Sequence, residues 1–272
     1  GFHFLEGPRW HENKLWFSDM HGYKVHNLDA DGNLSTLAEI PEQPSGLGWL
    51  PDGSLIIVSM LDRKLMKLKD GELSIHADMS HLTPYQCNDM VIAKDGTAYV
   101  GNFGTDSVEG KIHKTFLISV TQEGETKICA DGLLFPNGTV ISPDGKELIV
   151  GETFGGNLTS FQINESGELS RRSIWARVMP LHFKIITSII RFLNIPLKES
   201  NSTPFPVPDG ICLDSDNGIW VASPTTAEVI RYKKGGKITD RIATPRPAYA
   251  CMLGGKDEKE LYILTAESSN PQ

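Results

Sequence analysis

The chain has 272 residues, 39% of them apolar, with 26 Lys and Arg against 34 Asp and Glu for a net charge of −8. That length is near the upper end for one domain and supplies a large core, so a single domain over 1–272 is expected. No basic block stands out, which excludes a nucleic-acid binder, because phosphate affinity needs clustered Lys and Arg. No apolar run reaches the roughly 18 residues of a membrane span, and no signal peptide is read. Cys87, Cys129, Cys212 and Cys251 form no CxxC pair, so a zinc knuckle or thioredoxin motif is absent. They read as buried reduced thiols, which fits a reducing compartment and a cytoplasmic location.

In chain order, KLWFSD (14–19), SLIIVS (54–59), TAYVGN (97–102), ELIVGE (147–152), GIWVAS (218–223) and ELYILT (260–265) read as strands. Each follows a hairpin signal such as PDG, KDG or SDNG, whose Asp-Gly and Asn-Gly steps supply the positive φ of tight turns. A further run (KVHNLD, KLMKLK, TFLISV or VIRYKK) and a fourth short strand come after most of them.

Ahead of each strand stands one recurring phrase: LEGPRW (5–10), PSGLGW (44–49), CNDMVI (87–92), PNGTVI (136–141) and VPDGICLD (207–214). Its polar residue is Glu6, Ser45, Asn88, Asn137 and Asp209 in turn, and a sixth return begins at Tyr249 or Ala250. A period of about 40 to 50 residues with four strands per unit predicts an all-β chain folded as a β-propeller, and six returns predict six blades. A β-sandwich is the alternative, but sandwich strands do not return as blocks. The last unit ends after two strands, so the sixth blade is expected to be incomplete.

Between the fourth and fifth units lies an insertion. Leu181, Ile185, Ile189 and Phe192 recur at helical spacing, with Pro180 suited to the first turn and Pro196 to a stop. One amphipathic helix is predicted over 179–197. It would pack on the rim, cover the channel as a lid, or touch a membrane surface or a second copy.

The first strand of a propeller blade lines the central channel. Equivalent residues should therefore converge at one height, bringing Glu6, Ser45, Asn88, Asn137 and Asp209 together. Two carboxylates and two amides suit one hard divalent cation, Ca²⁺ first, with Mg²⁺ or Mn²⁺ next and Zn²⁺ less favoured by ligand softness. Taken singly, each Asn-Gly or Asp-Gly is an ordinary turn pair. No G-x-S-x-G elbow and no H-E-x-x-H is present, so a serine hydrolase or zincin is not read.

These blocks, with GGKDEKELYILTA (254–266), resemble the regucalcin/gluconolactonase family of lactone hydrolases across nearly the whole chain. The resemblance implies that Glu6, Asn137 and Asp209 bind the metal, that Asn88 binds it or sits beside it and contacts substrate, and that Asp209 is the catalytic base. Gln86 stands where sugar-lactone members carry an Arg that holds substrate oxygens, and Asp106 falls near a Glu that contacts substrate in some members. The function implied is metal-dependent opening of a small-molecule lactone, with aryl esters as a second substrate class. A phosphotriesterase-like hydrolase and a non-catalytic calcium-binding propeller are the alternatives on the same scaffold.

Overall fold

The structure, a computed structural model, describes residues 1–105, 111–180 and 205–270. Its strands follow the four-strand repeat. Blade 1 is β1 (Leu5–His11), β2 (Lys14–Asp19), β3 (Lys24–Leu28) and β4 (Leu34–Glu39); blade 2 is β5 (Pro44–Trp49), β6 (Leu55–Ser59), β7 (Lys64–Lys69) and β8 (Glu72–Asp78). Blade 3 is β9 (Cys87–Ile92), β10 (Ala98–Asn102), β11 (Thr115–Val120) and β12 (Thr126–Leu133); blade 4 is β13 (Pro136–Ile141), β14 (Glu147–Glu152), β15 (Asn157–Ile163) and β16 (Leu169–Arg177). Blade 5 is β17 (Ile211–Leu213), β18 (Ile219–Ser223), β19 (Glu228–Tyr232) and β20 (Ile238–Ala243), and β21 (Ala248–Gly254) pairs with β22 (Glu260–Thr265). Every sheet is an antiparallel meander in chain order.

The first strands form a ring. β1 neighbours β5, β5 neighbours β9, and the series continues through β13 and β17 to β21, which lies against β1. Two expectations are corrected here. The described chain builds five blades, not six: the sixth return of the repeat supplies only the β21–β22 pair, a two-stranded sheet. There is also no helix among the described residues, and the helix expected over 179–197 lies outside them from residue 181 onward. Its expected opening is not helical, since Val178 and Met179 both donate their N–H to the Gly156 carbonyl and so stay tied to the turn after β14. No helix of the described residues is long and apolar enough to cross a membrane.

The core lies between blades. Ile56, Val58 and Leu65 of blade 2 pack with Met90, Val100 and Ile118 of blade 3, all buried. Burying each such side chain contributes about 1.5–3 kcal/mol. Outer strands carry the leftover apolar groups, among them Ile75, Ile128 and Ile174, all exposed.

Two recurring contacts build the end of the ring where the first strands begin. In blades 1 to 4 the residue two before the polar position accepts, through its carbonyl, the N–H of the residue just past the second strand. The pairs are Phe4 with Met20, Gln43 with Met60, Gln86 with Phe103, and Phe135 with Thr153, at 2.8–3.1 Å. A buried polar residue closing the second strand then anchors the adjoining loop. Asp19 accepts from Phe4 N–H at 3.0 Å and Gly22 N–H at 3.1 Å, and Glu152 accepts from Leu134 N–H at 2.8 Å.

Candidate functional site

The recurring polar-glycine phrase is a register shift. In blades 2, 3 and 4, Ser45–Gly46, Asn88–Asp89 and Asn137–Gly138 each place two residues opposite one on the second strand; in blade 1 the shift falls just after Glu6. Such bulges bend a strand and re-aim a side chain. The glycines are steric. A Cβ on Gly138 would stand 2.6 Å from the Asp209 carbonyl oxygen, and one on Gly210 would stand 2.7 Å from Ala250 Cα. Neighbouring first strands approach too closely at this height for a side chain between them.

Glu6, Ser45, Asn88, Asn137 and Asp209 are all buried, each at or just before the start of its own first strand. Hydrogen bonds join four of them in two pairs. Asn137 Nδ2 donates to Asp209 Oδ1 at 2.6 Å, and Ser45 Oγ donates to Asn88 Oδ1 at 3.3 Å. Glu6 accepts from the Gly7 N–H at 3.2 Å. Tyr249, the residue at the sixth return, is buried and packs edge-on against Phe4 with ring centroids 4.7 Å apart.

The electrostatics are unfavourable to the charges that stand there. Burial holds the Glu6 carboxyl well above its ordinary range, the charges of Asp209 and Asp89 push the same way, and the Gly7 N–H and Arg9 pull back. Burial pushes Asp209 up to about 7, opposed by the Asn137 hydrogen bond and reinforced by the Asp89 charge. Removing a carboxylate from water without a countercharge has this effect.

Asp89 was not singled out by its place in the sequence. It occupies the position that is glycine in blades 1, 2, 4 and 5, and it is buried. The Gly46 backbone makes room for it: a Cβ on Gly46 would lie 2.8 Å from Asp89 Oδ1. Arg9 answers the extra charge at 2.7 Å and also donates to the Met90 carbonyl. The signal was in the phrase, where Asn88-Asp89 replaces polar-glycine. Thr153 was missed as well. Its Oγ1 accepts from Asn137 Nδ2 at 3.2 Å and donates to the Pro208 carbonyl at 2.8 Å, which joins blade 4 to the segment leading into Asp209.

Gln86 stands two residues before Asn88, half-buried, with its carbonyl holding Phe103. Asp106 lies outside the described residues. Beside these groups runs an aromatic series, with Phe103 against Phe135 at 4.6 Å and Phe135 against Phe154 at 5.1 Å between ring centroids. Phe135 has a φ of +56°, a left-handed conformation that costs a bulky residue on the order of 1–3 kcal/mol. Bonds on both sides hold it there, from Leu134 N–H to Glu152 and from Thr153 N–H to the Phe135 carbonyl.

The donor set fits a hard cation. Two buried carboxylates are short of positive charge, the nearby Arg9 is committed to Asp89, and the amides of Asn88 and Asn137 offer neutral oxygens. Among the described residues, no three His, Cys, Asp or Glu side chains converge to hold a metal by themselves, so any ion here needs the amides.

Fold and site together define a β-propeller with buried polar groups at the starts of its innermost strands. The chain belongs to the SMP-30/gluconolactonase/LRE-like family, which its residues 4–267 match. It is similar to a pentonolactonase of Haloferax volcanii, 24% identical over 96% of this chain and 81% of that protein. It is also similar to a 6-deoxy-6-sulfogluconolactonase of Pseudomonas putida, 24% identical over 97% of this chain and 84% of that one. Among solved structures it shares its fold with a calcium-binding protein, regucalcin, of Agrobacterium tumefaciens. The TM-score is 0.77 at 19% identity, covering 98% of this chain and 84% of that one.

Proposed function

We propose that this chain is a lactone hydrolase that works with one divalent cation, Ca²⁺ first, at the ring of Glu6, Asn88, Asn137 and Asp209. The observation that carries this is that those four oxygen-bearing side chains are all buried, each at or just before the start of its blade's first strand, with Asn137 bonded to Asp209. Family membership and the lactonase names of two relatives support it.

Glu6, Asn137 and Asp209 would hold the ion, with Asn88 completing the set or meeting the substrate. When bound, such an ion supplies a Lewis acid toward a carbonyl oxygen. Asp209 takes the proton from the attacking water, acting from the carboxylate form that a bound cation would favour. Asn137 orients Asp209 through the 2.6 Å hydrogen bond, and Thr153 orients Asn137. Gln86 offers a neutral amide to substrate oxygens. Aryl esters, which present the same carbonyl with a better leaving group, form the second substrate class.

The test is to strip the protein with a chelator and assay a panel of lactones and aryl esters while restoring Ca²⁺, Mg²⁺, Mn²⁺ and Zn²⁺ separately. Activity that disappears with the chelator, returns with one ion and is lost in Glu6→Ala and Asp209→Asn is expected. Calcium binding with no turnover on the panel would favour a non-catalytic calcium-binding propeller, and turnover indifferent to metal would overturn the ion's role.

A further inference from the structure

We propose that Phe103, Phe135 and Phe154 form the specificity wall of this site and select a lactone that carries an apolar alkyl or aryl substituent over a polyhydroxylated one. The proposal rests on the lactone-hydrolase reading and names its substrate class.

The wall is built onto the polar ring by main-chain hydrogen bonds. Phe103 donates its N–H to the carbonyl of Gln86, two residues before Asn88. The Phe135 carbonyl accepts from the N–H of Thr153, whose hydroxyl accepts from Asn137. Phe154 comes directly after Thr153, and Phe135 precedes Pro136 and Asn137. Three half-buried rings therefore stand in one contact series beside the Asn137–Asp209 half of the ring. The left-handed backbone of Phe135 is pinned on both sides by Glu152 and Thr153, so the ring is set in place before any ligand arrives.

A polyhydroxylated lactone brings several hydroxyls, each of which loses water on entry and needs a partner. The rings offer none. An alkyl or aryl group gains from the same surface, about fourfold in affinity for each fully buried methylene. Rigid aromatic faces lose little side-chain entropy on binding, which adds to the preference.

The experiment compares δ-valerolactone, the same ring with a five-carbon alkyl chain, and an aldonolactone, using the Ca²⁺-loaded protein. In parallel, calorimetry measures binding of the two matching lactams, amides that resist opening. The wild type should favour the alkyl lactone by roughly tenfold or more in kcat/KM, mostly through KM, and should bind the alkyl lactam tighter by a similar factor. Phe103→Ala and Phe154→Gln should bring both ratios to within about threefold, and Phe135→Gly should do the same while relieving the left-handed strain. Thermal unfolding identifies any variant that fails to fold, and the wild-type ratios stand without the variants. Lactones opened with no alkyl preference would overturn the wall and leave the hydrolase reading standing. Alkyl-selective lactam binding lost in the Phe variants, with no lactone opened, would support the wall and overturn the hydrolase. Preference for the aldonolactone overturns the wall outright.

Discussion

Asn137 Nδ2 donates to Asp209 Oδ1 at 2.6 Å across the first strands of blades 4 and 5, linking residues 72 positions apart. That bond is one of the few favourable contacts that Asp209 has in its buried site. Asn137→Asp would replace it with a second carboxylate facing the first. In chelator the variant should lose about 2 kcal/mol, a fall in Tm of roughly 5 °C. Because only the folded protein holds the ion, Ca²⁺ should restore more stability to the variant than to the wild type. Differential scanning calorimetry with and without Ca²⁺ checks both values, and equal Tm values in chelator would refute the charge repulsion.

Glu6 and Asp209 both have carboxyl groups raised by burial, Asp209 to about 7. Below about pH 4 both groups are protonated in the folded and unfolded chain. Between about 4 and 7 the folded chain keeps the Asp209 proton that the unfolded chain releases, so the Asp209 contribution to the unfolding free energy falls as pH rises; above about 7 that contribution levels off. Denaturant titrations of metal-free protein at pH 4.5 and 7.5 should show Asp209→Asn gaining stability relative to wild type at the higher pH, on the order of a few kcal/mol. The stabilisation by Ca²⁺ should grow over the same interval. A difference between the two proteins that does not vary with pH would show that Asp209 ionises freely in the fold.

Arg9 and Asp89 form an ion pair at 2.7 Å, with little solvent on either side chain. Arg9→Met leaves the buried Asp89 carboxylate without its cation and should destabilise by about 3 kcal/mol. Adding Asp89→Asn removes the stranded charge and should recover most of that loss. Urea midpoints for the two single variants and the double variant measure the coupling, and simple additivity would mean that the pair contributes nothing.

Gly138 and Gly210 sit where adjacent first strands almost touch. Alanine at either should destabilise by about 2 kcal/mol or more through overpacking. Gly145 is the control, because its φ is +74° but nothing lies within 4 Å of its missing Cβ; alanine there carries only the backbone penalty of about 1 kcal/mol. Losses at Gly138 and Gly210 no larger than at Gly145 would refute the overpacking between the strands.

Much of this was legible in the amino-acid order because a propeller repeats. PDG, KDG and SDNG mark hairpins through local φ requirements, so the strands they precede fell where expected. The returning phrase marked Glu6, Asn88, Asn137 and Asp209 as equivalent positions through spacing alone. The blade count was misread because a return of the phrase guarantees only a first strand. Whether three more strands pair with it depends on other residues, and among the described residues only β22 pairs with β21. Asp89 was missed because the phrase was read for its first polar residue, and Arg9 because nothing local links residues 80 apart. The wall of Phe103, Phe135 and Phe154 joins the ends of different strands in two blades, a contact set with no period in sequence.

The sequence by itself determined the repeat and its turns, since these depend on interactions between near neighbours. It also determined which residue types occupy the ring. Only the tertiary structure decided the charges and their balance. The raised carboxyls of Glu6 and Asp209, the Arg9–Asp89 pair and the left-handed Phe135 held by Glu152 and Thr153 all arise where strands distant in sequence close around one channel. There, burial strengthens every electrostatic term that water would otherwise screen.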